Sequence, residues 1–62
     1  MSALDASEYR AALSARLIEL NYRLAESHYY SDFASERHYE NEIYIAKLYL
    51  RRIERKLSEV LI

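Results

Sequence analysis

The chain has 62 residues, ten acidic and nine basic side chains, and a net charge of −1. That length allows one small domain, here residues 1–62, and the near-neutral charge argues against bulk electrostatic binding of nucleic acid. No Gly, Pro or Cys is present, so strong turn breakers, disulfides and thiolate metal sites are excluded and long helices meet no obstacle.

The N-terminal stretch, Met1 to Arg10, has neither a basic segment nor an apolar run, so no signal peptide is read there. No apolar run reaches the roughly 20 residues of a membrane span, and a soluble chain of undefined location is expected. A first helix is predicted over about 3–29. Ser2-x-x-Asp5 and Asp5-x-x-Glu8 both resemble capping boxes, which places its start at Ser2 or Asp5. Two apolar stripes run along it. One is Ala6, Leu13, Leu17, Leu20, Leu24; the other is Leu4, Ala11, Ala15, Ile18, Tyr22, Ala25, Tyr29.

The break falls between Ser27 and Ser35, where Ser, Asp and aromatic residues interrupt the apolar spacing. Ser31, Asp32 and Ser35 are candidate N-caps for a second helix over about 33–61. Its seam steps 4-3-4-3-4-3 through Tyr39, Ile43, Ala46, Leu50, Ile53, Leu57 and Val60. A second set, Asn41, Tyr44, Ile45, Leu48, Tyr49 and Arg52, lies mostly on other sides. Asp5 and Glu8, then Asp32 and Glu36, open the two helices, and Arg51, Arg52, Arg55 and Lys56 sit near the second helix's end, as the helix dipole favours.

The expected fold is therefore all-α, an antiparallel two-helix hairpin. Facing residues in such a hairpin share a constant sum of positions. Leu24 with Tyr39, Leu20 with Ile43, Leu17 with Ala46, Leu13 with Leu50 and Ala6 with Leu57 share one. The other stripe of the first helix also pairs with the seam at a different sum, so the inner face stays open. The rival is one continuous helix in a coiled coil, and the Ser/Asp cluster speaks for the hairpin. Burying one stripe per helix only offsets the cost of ordering so short a chain, which asks for a partner or for dimerisation.

Catalytic and metal chemistry find little footing. His28 and His38 lie near Glu26, Glu36, Glu40 and Glu42. Helical carboxylate–histidine metal sites use Glu-x-x-His, because i and i+3 point the same way. Here the spacing is Glu-x-His, which points the two groups nearly apart. The serines have no Gly beside them to shape an oxyanion hole. No catalytic residue, metal or cofactor is expected. The basic run Lys47, Arg51, Arg52, Arg55, Lys56 is diluted by Glu54 and Glu59, so no nucleic-acid or membrane partner is expected either.

Six of the seven tyrosines fall between positions 22 and 49. Tyrosine offers a large contact area, little rotamer entropy and one polar tip, and it is enriched at interfaces. Tyr39 fits a core position with a wet hydroxyl; the rest lie at several angles around the helices. The expected partner-binding residues are Ile18, Tyr22, Tyr29, Tyr30, Phe33, Asn41, Tyr44, Ile45, Leu48, Tyr49 and Arg52. The expected function is a non-enzymatic protein-binding hairpin that docks on another protein through this Tyr-rich apolar face. The alternative is a homodimer, two hairpins in a four-helix bundle acting as a small regulatory or structural protein.

Two resemblances bear on this. Leu17-Ile18-Glu19 through Asp32-Phe33 to Glu40-Asn41-Glu42-Ile43 resembles the Sda-type helical hairpins that inhibit sporulation histidine kinases. It needs a two-residue insertion in the second helix and covers under half the chain, and no function is carried over from it. In composition the chain resembles a computationally designed helical mini-binder: Ser2–Leu20 and Leu50–Leu61 use idealised Ala/Leu/Glu/Arg vocabulary around a middle rich in Tyr, His and Ser. It departs from that pattern in having no Gly after a helix.

Overall fold

A computed structural model of the chain describes the backbone of residues 3–61 and the side chains of residues 5–59. It contains two helices, α1 (Ala3–Tyr29) and α2 (Phe33–Leu61), folded back on each other as an antiparallel hairpin about 46 Å long. Both helices have the boundaries that periodicity and capping predict. α1 begins at Ala3, so Asp5 lies inside its first turn rather than capping it, and Ser2 lies outside the described residues.

The inner face is the Ala6–Leu24 stripe of α1, packed on the seam of α2. Ala6, Leu13 and Leu20 are buried against Ile43, Ala46 and Ile53, and Leu17, Leu24, Tyr39, Leu50 and Leu57 are half-buried around them. The competing stripe through Ile18 and Tyr22 faces solvent. Ser27 extends the inner stripe by three residues and is buried. Its hydroxyl donates to the Arg23 carbonyl oxygen at 2.9 Å, which satisfies it where the helices converge on the turn. The side chains of Leu4 and Val60, expected in the stripes, lie outside the described ones. No described side chain is fully buried. The seam is thin because a pair of helices encloses only one line of side chains from each partner.

The turn solves the absence of Gly in a specific way. The Ser31 N–H donates to the His28 carbonyl oxygen at 3.1 Å, and the Asp32 N–H donates to the Ser27 carbonyl oxygen at 2.9 Å. That pair of bonds is a Schellman closure, which places Ser31 at the left-handed position usually held by Gly. Ser31 has φ 56°. Of the three candidate caps, Asp32 takes the role. Its carboxylate accepts from the Ser35 N–H at 3.3 Å, and its carbonyl accepts the first bond of α2 from the Glu36 N–H at 2.9 Å. The Ser35 hydroxyl and then the Ser35 N–H hold the Asp32 carboxyl below its usual value.

One expectation about charge is corrected. α2 runs on to Leu61, and its last turn holds no basic residue. Arg51, Arg52, Arg55 and Lys56 end too early to act on the helix terminus, since the dipole effect fades within one turn.

Candidate docking surfaces

Each residue advances a helix by about 100°, so positions relative to the buried seam can be read off directly. Ile18, Tyr22 and Tyr29 lie about 160° round α1 from the seam, on its back. They are 74%, 70% and 80% exposed. Tyr30 follows at the end of the helix, and its ring meets that of Tyr29 edge-on, with centroids 5.1 Å apart. Tyr22, Ala25, Glu26, Tyr29 and Tyr30 line a shallow depression there. This is the first patch.

Asn41, Tyr44 and Leu48 lie on the back of α2, which faces the opposite way from the back of α1. They form the second patch, and all three are exposed. Ile45 and Tyr49 point to one flank of the hairpin. There they line a groove with Ala12, Arg16, Glu42 and a residue outside the expected set, Tyr9, over a floor of Leu13 and Ala46. The Arg52 guanidinium lies 5.8 Å from the centre of the Tyr49 ring, a cation–π distance. Phe33 stands apart, beside His28, Glu36, Arg37 and Glu40 near the turn on the other flank.

The eleven expected residues therefore do not make one face. All are exposed, but the hairpin distributes them over the two backs and the two flanks. The sequence reading overlooked Tyr9 and Ala12. The signal for Tyr9 was present: Ala6-x-x-Tyr9-x-x-x-Leu13 keeps the 3-4 step of the inner stripe, and Tyr9 is the seventh tyrosine, outside the cluster at 22–49.

Polar contacts line both flanks. On the groove side, Arg16 Nη2 pairs with Glu42 Oε2 across the helices at 3.2 Å. Nearer the turn, the Tyr39 hydroxyl and then the Glu19 carboxylate, 3.2 Å from Arg23 Nε, hold the Arg23 guanidinium above its ordinary value. Tyr39 is thus a half-buried seam residue whose hydroxyl has a partner at the surface. On the other flank, His28 Nδ1 lies 3.4 Å from Glu36 Oε1. The His38 ring rests edge-on against Tyr39, 5.4 Å between centroids.

Among the described residues no three His, Cys, Asp or Glu side chains converge as a metal site would need. The one buried hydroxyl among them, on Ser27, donates to the Arg23 carbonyl oxygen. No described helix is long and apolar enough to cross a membrane. What the surface offers is aromatic and aliphatic area in several directions. No protein-family model, curated protein or solved structure matches the chain.

Proposed function

We propose that the chain is a non-enzymatic protein-binding hairpin, and that the Tyr22–Tyr29–Tyr30 patch on the back of α1, with Ile18, is the face it presents to another protein. The observation that carries this reading is the inversion of burial. Ile18, Tyr22 and Tyr29 are the most exposed large apolar side chains of α1, and Tyr30 just beyond it is as exposed, while two of that helix's three buried core positions, Ala6 and Leu13, lie in the half away from the turn. Soluble proteins rarely expose contiguous aromatic area without a use for it. Two edge-on tyrosines with a third two turns away supply rigid, amphipathic anchors of the kind that dominate binding energy. The idealised ends of the helices around this aromatic middle support an origin by computational design.

The test is an alanine series at Tyr22, Tyr29, Tyr44, Leu48 and Tyr49, measured by calorimetry against a partner first identified by photo-crosslinking from position 22. Each variant should keep its helical circular dichroism. Tyr22→Ala and Tyr29→Ala should each weaken binding by about 2 kcal/mol or more, the loss typical of a hot spot. If all five variants bind as the parent does but melt early, these side chains serve internal packing and the reading is wrong.

A further inference from the structure

The flank groove has features that point to a particular occupant. Its walls combine Tyr9, Ile45 and Tyr49, each 43–45% exposed, and Ala12 keeps one wall low enough for close approach. The Arg16–Glu42 ion pair crosses it near mid-length. The rod is also electrically polarised along its axis. Residues 17–42, the half next to the turn, hold six acids against two arginines, a net −4. The remaining residues hold seven bases against four acids, a net +3.

From this we propose that the groove is the interface of a homodimer, in which a second copy lies antiparallel along the flank with its turn beside the open end of the first. The proposal rests on reading the chain as a protein-binding hairpin and names the partner of one surface. A two-fold axis at the level of Arg16 and Glu42 brings unlike ends together and like ends apart, the arrangement that charge favours. It also gives a specific pair. At 1.5 Å per residue, Tyr9 and Tyr49 lie about 10 Å from that level toward the open end, and Arg23 lies about 10 Å toward the turn. That axis runs across the flank and lays α1 of one copy on α1 of the other, so the Arg23 guanidinium of the second copy meets the Tyr9 ring. At the axis, Arg16 and Glu42 can exchange partners between copies. The flank is 46 Å by 14 Å between Cα extremes, a footprint of roughly 600 Å² and near the ~800 Å² per partner of a standard interface.

Sedimentation equilibrium of the full chain at tens of micromolar, at low and high salt, tests this. The parent should be a dimer that weakens as salt rises. Ala12→Glu should give a folded monomer by circular dichroism, while Ile18→Glu, on the back of α1, should leave the dimer intact. Arg23→Ala should weaken association about tenfold, by removing two symmetric cation–ring contacts. A parent that stays monomeric, or an Ala12→Glu variant that still dimerises, overturns the antiparallel dimer. Neither result touches docking through Tyr22 and Tyr29, which a different assay reads on a different surface.

Discussion

Replacing Ser31 by Gly should make this protein more stable, and the size of the gain follows from one dihedral angle. Ser31 sits at φ 56°, held there by the two hydrogen bonds that close α1. For an L-residue with a Cβ the left-handed region costs about 1–2 kcal/mol. Gly escapes that cost but surrenders about 0.5–1 kcal/mol of extra freedom in the unfolded chain. The difference is a net stabilisation of about 0.5–1 kcal/mol. In a domain of this size 1 kcal/mol moves Tm by roughly 4–8 °C, so Ser31→Gly should raise it by about 2–8 °C. Thermal melts followed by far-ultraviolet circular dichroism, at fixed chain concentration, read this directly. Two controls isolate the cause. Ser31→Ala keeps the Cβ and should bring no gain. D-alanine at the same position, accessible by chemical synthesis, suits the left-handed region and should stabilise more than Gly. If Gly and D-alanine leave Tm unchanged or lower it, the Schellman closure is not the resting conformation of the turn.

The remaining predictions concern the seam and the second cap. Leu20→Asp should unfold the hairpin, because it strands a charge at a buried position, whereas Ile18→Asp, two residues away but on the opposite side of α1, should melt as the parent does; equal melting of the two would place the inner face elsewhere. Asp32 has a carboxyl held below its ordinary value, so its contribution is present above the unfolded-state pKa and is lost as pH falls through the folded one. Stability should therefore decline as pH drops below about 4, the ordinary range for Asp. Asp32→Asn, which keeps the cap but cannot titrate, should lose less over the same interval in an acid titration of Tm.

Helix type, helix length and the place of the break were all legible in the residues. Unbroken 3-4 spacing from Tyr39 to Leu57, strong helix formers and the absence of Gly and Pro leave no alternative local structure, and the Ser27–Ser35 cluster is the one stretch where that spacing lapses. These are local properties, decided within one or two turns of chain. Four matters were not local. α1 carries two stripes of similar quality, and only packing against α2 chose the one through Leu13 and Leu20 over the one through Ile18 and Tyr22. The identity of the cap among Ser31, Asp32 and Ser35 depended on how the chain reverses, which put Ser31 in the left-handed region and left Asp32 to accept from the Ser35 N–H. The division of the aromatic residues into separate patches follows from that same choice of inner face: once Leu20 and Ile43 point at each other, the backs of the two helices must point apart, and Tyr22 and Tyr44 cannot share a surface. Tyr9 joined Ile45 and Tyr49 for the same reason, since the flank where they meet comes into being only when two helices lie side by side. A periodic sequence states which faces a helix has; which of them meet is settled by the fit of one helix against another.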